Sequence, residues 1–220
     1  MSYNLLRLTL DPAAAADVVR RADPDVLGVQ EPPRGPGGRR RLRRFARDAG
    51  LRVVVAGAGA RTTALLVSPR VLPADDVEVL RLRWFGSRIV RRWWARRGVV
   101  LARVTGLDVV VVHLSLDGAE RLRHAEEIVT RLRSRRGPFV LLGDLNEPPS
   151  GPVWASFAEL LADADPGGAL TFPADRPWHR IDAVLVSRDV AVRSVSVLDG
   201  PHVRRASDHL PIVAELDVAQ

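Results

Sequence analysis

Phe139-Val140-Leu141-Leu142-Gly143-Asp144-Leu145-Asn146 is a short apolar run that breaks into a polar tetrapeptide. Four consecutive large apolar side chains ahead of Gly143 predict a strand buried on both faces, too short to stand as a helix. Such a strand delivers Asp144 and Asn146 at its end, where a rigid backbone presents a carboxylate and an amide to a ligand. The same pattern recurs along the chain. Glu31 follows the run 25–30, His113 follows four valines, Asp182 follows Ile181, and Asp208-His209 precede the last apolar run, 211–216.

Helical signals lie between these strands. Asp11 reads as an N-cap with Pro12 at the first helical position, opening a helix to residue 22. A second helix is expected over 39–49, closed by Gly50, and a third runs from its cap Asp117 to about residue 133. The third carries Leu122, Ala125, Ile128, Val129 and Leu132 on one face. A short helix is expected over 154–161, and further strands over 51–56, 63–67, 77–82, 98–104, 107–113, 181–187 and 190–198. Thr105-Gly106 reads as a tight hairpin joining two of them. Helices and strands thus alternate irregularly, which excludes both a strict βαβ repeat and an all-β fold and points to mixed sheets covered by helices.

Size and composition set the bounds. At 220 residues, with 46% hydrophobic and 27% charged residues, the chain is expected to form one domain over 1–220 around a sizeable core. It has no cysteine, so disulfides, thiolate metal sites and cysteine nucleophiles are excluded. With no run of about 20 apolar residues and no apolar leader after a basic start, a cytoplasmic protein without a transmembrane segment is expected. The formal charge is +7, and every basic side chain is arginine. That excess fits a nucleic-acid or anionic-membrane partner, but also arginine-rich coding in a GC-rich genome. Within 81–97, Trp84, Phe85, Trp93 and Trp94 are interleaved with seven arginines, which reads as a surface loop.

Carboxylates, an amide and imidazoles without thiolates make a hard, oxygen-rich donor set suited to Mg²⁺ or Mn²⁺. Phosphoryl chemistry needs such a set, because negative oxygens must be neutralised, a water aligned and a leaving oxygen stabilised.

Taken in order, Tyr3-Asn4, Val29-Gln30-Glu31, Val112-His113-Leu114-Ser115, Gly143-Asp144-Leu145-Asn146, Arg180-Ile181-Asp182 and Ser207-Asp208-His209 resemble the motifs of the endonuclease/exonuclease/phosphatase family. That family includes DNase I, abasic endonucleases, inositol polyphosphate 5-phosphatases and neutral sphingomyelinases. The resemblance runs from Asn4 to Val213. It implies an α/β fold of the DNase I-like type, a four-layer sandwich in which two mixed β-sheets pack face to face with helices outside. It also implies roles. Glu31 looks like the principal metal ligand, with Asn4 and Asp208 contributing; Asp144 is similar to the Asp that positions or deprotonates water, and Asn146 to the amide that orients water or phosphate. His209, held by Asp182, resembles the imidazole at the scissile phosphate, and His113 a second phosphate-binding imidazole. Arg97 stands where the family often has a phosphate-contacting Arg. Only Met1, Ser2 and Tyr3 precede Asn4, so the family's first strand is expected to be nearly absent. A Tyr that many members place near the phosphate has no counterpart around 62–68.

Three functions are compatible with these residues. A monomeric Mg²⁺- or Mn²⁺-dependent nuclease would use arginines of 39–47 and the Arg/Trp segment to grip a nucleic-acid backbone, with Trp93 or Trp94 stacking on bases. A phosphatase or phospholipase C-type hydrolase would turn that segment toward inositol phosphates or lipid headgroups, with peripheral membrane contact. An inactive binding protein is disfavoured, since every acid, base and amide is present.

Overall fold

The computed structural model describes residues 1–57, 59–83 and 96–218. Their strands form two six-stranded sheets. In the first the order is β11 (Val190–Val197), β12 (Ile212–Val218), β1 (Ser2–Asn4), β2 (Val26–Gln30), β4 (Thr63–Val67), β3 (Arg52–Ala56). In the second it is β5 (Ala74–Arg81), β6 (Gly98–Val104), β7 (Leu107–His113), β8 (Phe139–Asp144), β10 (Asp182–Val186), β9 (Ala162–Asp163). Both are mixed: β1 runs parallel to β2 and β7 parallel to β8, while the other pairs are antiparallel.

The valine run before His113 explains how the layers assemble. Side chains alternate across a strand, so Val110 and Val112 face one way and Val109 and Val111 the other. The first pair packs with α3 (Gly118–Arg133) and α4 (Pro152–Ala158), through Ile128, Leu132 and Phe157. The second pair meets Leu65, Val67 and Ile212 of the opposing sheet, forming the layer between the sheets. Beyond the first sheet, α1 (Pro12–Ala22) and α2 (Gly38–Asp48) bury Val18, Val19, Leu42 and Phe45 against Leu27, Val29 and Leu66. Strands covered on both faces must be continuously apolar, which is why the sequence shows runs rather than clean alternation. The result is the four-layer sandwich of the DNase I-like fold.

Two glycines let the layers and strands close. A Cβ at Gly28 would lie 3.0 Å from Leu142 Cβ and 3.2 Å from Val111 Cγ2, across the sheet interface. One at Gly143 would lie 2.3 Å from the Val112 carbonyl oxygen of the adjacent strand. Only glycine fits beside Val112 there, and the next residue is Asp144.

Several elements depart from the sequence expectation. The first strand is short but not at an edge: three residues pair with β2 through Ser2–Gly28, Tyr3–Val29 and Asn4–Gln30, and Ser2 also pairs with Ile212. The strand expected over 77–82 begins at Ala74, its start hidden by Asp75 and Asp76 and by an irregularity between Asp75 and Glu78. The helix expected over 154–161 is Pro152–Ala158, because Pro152 takes the first helical position after the Gly151 cap. The two-residue β9 and the one-turn α5 (Pro201–Arg204) are too short to leave a periodic signal. The central part of the Arg/Trp segment, with Trp84, Phe85, Trp93 and Trp94, lies outside the described residues.

Candidate active site

Strand direction places the polar residues at one end of the sandwich. Asn4, Gln30, His113 and Asp144 are the last residues of β1, β2, β7 and β8, while Thr63 and Asp182 open the antiparallel β4 and β10. Asp144 is central. It lies in register with His113 across the parallel β7–β8 pair and with Asp182 across the antiparallel β8–β10 pair. Its Oδ1 accepts the Asn146 backbone N–H at 2.9 Å, and its Oδ2 accepts the Asn4 amide at 3.1 Å. His113 Nε2 lies 3.6 Å from that Oδ2 and His209 Nε2 3.8 Å from it, so three side chains converge on one carboxylate oxygen.

Two carboxylates facing each other across neighbouring strands repel. His209 relieves this, its Nδ1 bonded to Asp182 Oδ2 at 2.9 Å while Nε2 faces Asp144. Phe172 packs on the imidazole with ring centroids 4.7 Å apart, and Arg180, two residues before Asp182, pairs in bidentate fashion with Asp163.

The environment separates the titrations. Burial alone would lower the His209 pKa, but attraction and hydrogen bonding to Asp182, with Asp144 and Asp208 adding, raise it to about 10. His209 is therefore an imidazolium at neutral pH. Burial is also the largest influence on His113, and the nearby cations Arg97, His209 and Arg34 push the same way, well below the usual 6.5. His113 is a neutral imidazole. Burial raises Asp144 to about 6, against the pull of His209. A cation, a neutral donor–acceptor and a carboxylate that ionises close to neutrality thus share one cleft, the pattern expected of acid–base machinery.

The remaining candidates sit around this core. Glu31 follows β2 with φ 48°, bonded to the Thr62 carbonyl through its backbone N–H, and its partly exposed carboxylate meets Arg7 Nε at 3.5 Å. Asn146, at φ 53°, donates its amide to the Leu114 carbonyl at 3.0 Å. Both ends of the Asn4 side chain are engaged, since its oxygen accepts the Leu6 N–H at 3.1 Å. Asn4 thus holds Asp144 in place. Asp208 is half-buried behind His209, next to Ser207, whose hydroxyl donates to the Asn4 carbonyl at 2.6 Å. Arg97 is mostly covered and interacts electrostatically with Asp144 and Glu31. Trp93 and Trp94 fall outside the described residues. Two site cations, Arg7 and Arg34, belong to none of the sequence motifs. Arg34 lies three residues past Glu31 and interacts with Glu31 and Arg97, so its spacing from the motif Glu is the available signal.

Among the described residues, Asp144, Asp182 and His209 form a buried group whose ligand atoms lie within 4.8 Å of one another and that could hold a metal ion. With His209 Nδ1 committed to Asp182, the two carboxylates are the oxygen donors of this group and are of the kind that suits a divalent cation; Glu31, Asn4 and Asp208, the residues the sequence motifs point to as metal ligands, are not part of it.

A family model described as "Endonuclease/Exonuclease/phosphatase family" matches residues 1–209. The chain belongs to that family. A search of curated proteins found no match. Among solved structures, an endonuclease/exonuclease/phosphatase protein from Bacteroides vulgatus superposes with a TM-score of 0.80 at 17% identity, covering 99% of this chain and 97% of the other. A mannosyl-6-phosphatase from Bacteroides thetaiotaomicron gives 0.76 at 17% identity, with 98% of each chain covered. ANGEL2, a 2′,3′-cyclic phosphatase, gives 0.74 at 14% identity over 92% of this chain and 84% of its own. At these identities the neighbours establish the family's fold. Chemistry has to be argued from the site. Among the described residues no helix is long and apolar enough to cross a membrane.

Proposed function

We propose that this chain is a single-domain, divalent-metal-dependent phosphodiester hydrolase, acting as a nuclease on DNA. The observation that carries the reading is the convergence of Asn4, His113 and His209 on Asp144 Oδ2, with Asp182 behind His209. Mg²⁺ or Mn²⁺, held by Glu31 with Asp208 and the Asp144 carboxylate, would neutralise phosphate oxygens and favour ionisation of a water. The protein's own groups do the rest. Asp144 accepts the proton of the attacking water, and the Asn4 amide fixes the orientation of that carboxylate. His209 presents a cationic N–H to the phosphate or the leaving oxygen, while Asp182 holds its ring and its charge. His113 offers a neutral N–H, Arg97 and Arg34 balance the phosphate charge, and Asn146 orients the water or phosphate. These groups are set before substrate arrives, which is how such sites stabilise developing charge.

A second reading is hydrolysis of a small phosphate ester, supported by the similarity to a mannosyl-6-phosphatase and a 2′,3′-cyclic phosphatase. Purified protein is expected to nick supercoiled plasmid with Mg²⁺ and to lose that activity on EDTA addition. Absent nicking, with Mg²⁺-dependent phosphate release from sugar or inositol phosphates, replaces the first reading by the second.

The titrations fix a pH profile. A divalent cation at the Asp144 carboxylate favours its ionised form, so the limb the protein itself sets is the alkaline one: kcat/KM is expected to fall toward about pH 10 as His209 loses its proton. Asp182→Asn removes the principal attraction on the imidazolium, so its alkaline limb should move to lower pH. An alkaline limb that stays in place in this variant assigns it to another group.

A further inference from the structure

Helix α2 carries most of the protein's excess charge. Residues 38–48 contain six arginines against one aspartate, +5 of the chain's +7, leaving the other 209 residues at +2. Codon usage explains arginine in place of lysine. It does not explain why one helix lacks acidic partners when others have them. On α3, Arg121, Arg131 and Arg133 pair with Glu147, Glu78 and Glu159. On α2, Asp48 meets only Arg44 and Arg47, and among the described residues no carboxylate lies within ion-pair distance of Arg39, Arg40, Arg41 or Arg43.

All six arginines are exposed, on the arc opposite the buried Leu42, Phe45 and Ala46. Arg39 and Arg43, Arg40 and Arg44, and Arg43 and Arg47 are spaced i,i+4, where like charges destabilise a helix. Arg39, Arg40 and Arg41 also sit at its positive N-terminal end, with no acidic residue in the first turn. A helix with this much uncompensated repulsion is suited to an external array of anions. Arg34, partly buried in the loop between the motif residue Glu31 and α2, adds one more cation on the chain segment that joins the helix to the site.

We infer that α2 is a binding ridge for the sugar-phosphate backbone of a nucleic acid, engaged while another phosphodiester of the same strand occupies the site. This rests on the nuclease reading above and assigns the surface that holds its polymeric substrate. A polymer fits this array, because six exposed guanidinium groups call for a row of anions, whereas a small phosphate ester carries one. An anionic membrane is disfavoured, since the apolar side chains of α2 are buried in the core and leave none to enter a bilayer. Contacts to phosphate are independent of sequence, so recognition through α2 should be too.

The test is binding of a fluorescent DNA duplex of about 20 base pairs, in EDTA, by wild-type protein and by Arg39→Gln/Arg40→Gln/Arg41→Gln/Arg43→Gln. Hydrolysis of bis(p-nitrophenyl) phosphate with Mg²⁺ is measured in parallel. Each phosphate neutralised contributes about 0.9 to the salt slope, so removing four charges should flatten a plot of log Kd against log salt by up to about 3.6. The expected result is that flattening, with binding at least about tenfold weaker near 100 mM salt, while hydrolysis of the small diester is unchanged. A control, Arg20→Gln/Arg21→Gln/Arg193→Gln/Arg205→Gln, removes equal charge elsewhere and should keep most of the affinity. Equal loss in the control, undiminished DNA binding in the α2 variant, or α2-dependent binding of phosphatidylserine vesicles without DNA binding would each overturn the proposal. DNA binding that depends on α2 in a protein that does not hydrolyse the small diester would leave the ridge standing and sink the hydrolase reading.

Discussion

Asp144→Asn should lower phosphodiester hydrolysis by at least about a hundredfold and leave the thermal midpoint close to that of the wild type. Both halves follow from the position of one carboxylate. Asn is nearly isosteric and can still accept the Asn146 backbone N–H, at the expense of the bond from the Asn4 amide, but it cannot take a proton from water. The stability half follows from burial, which raises Asp144 to about 6. A carboxylate held above its ordinary pKa is ionised at pH 7 at a cost to the folded state, on the order of 1.4 kcal/mol for each tenfold weakening of the acid. The neutral amide does not carry that cost, the usual relation between a preorganised site and stability. Plasmid nicking and a thermal melt on the same preparation test both. Wild-type turnover in the folded variant would falsify the role given to Asp144.

His209→Ala should be at least as damaging to activity, and it should also destabilise the protein. The substitution removes the cationic donor and leaves Asp182 buried beside Asp144 without its intervening imidazolium. Stripping one partner from a buried ion pair typically costs about 3–5 kcal/mol. The sign of the pH dependence is fixed by the raised pKa of His209. Its contribution to stability is fully present below the unfolded value near 6.5 and is lost as pH rises through about 10. Between those limits the wild type should lose stability with pH and the variant should lack that slope, read from urea midpoints at several pH values. His209→Gln keeps a side chain able to donate to Asp182 and should recover part of the stability but none of the activity. Parallel pH dependences in wild type and alanine variant would assign the raised titration to another residue.

Much of this arrangement was legible in the chain because each motif residue follows or precedes a buried strand, and strands buried on both faces announce themselves as apolar runs. The strands Thr63–Val67, Gly98–Val104 and Leu107–His113 lie where their runs place them. Order alone could not say which residues meet. The resemblance makes Asn4 a metal-site residue, and only the tertiary structure adds that its amide donates to Asp144 and accepts the Leu6 N–H. Arg7 and Arg34 were hidden for another reason. In a chain whose basic residues are all arginine, a functional guanidinium looks like its neighbours until the fold brings it to a carboxylate. The arginine cluster over 39–47 was legible in the sequence; what the fold adds is that, among the described residues, Arg39, Arg40, Arg41 and Arg43 have no carboxylate within ion-pair distance.

The bond from Asn4 to Asp144 joins residues on different sheets. Asn4, Glu31 and His209 come from the first sheet and its connections, and His113, Asp144 and Asp182 from the second, so the catalytic cluster is a seam between two slabs. Any sliding of one slab over the other, even by a fraction of a strand repeat, pulls the seam apart while both slabs keep their own hydrogen bonds. Turnover is therefore a gauge of interlayer alignment, and on warming it should disappear before the secondary structure does.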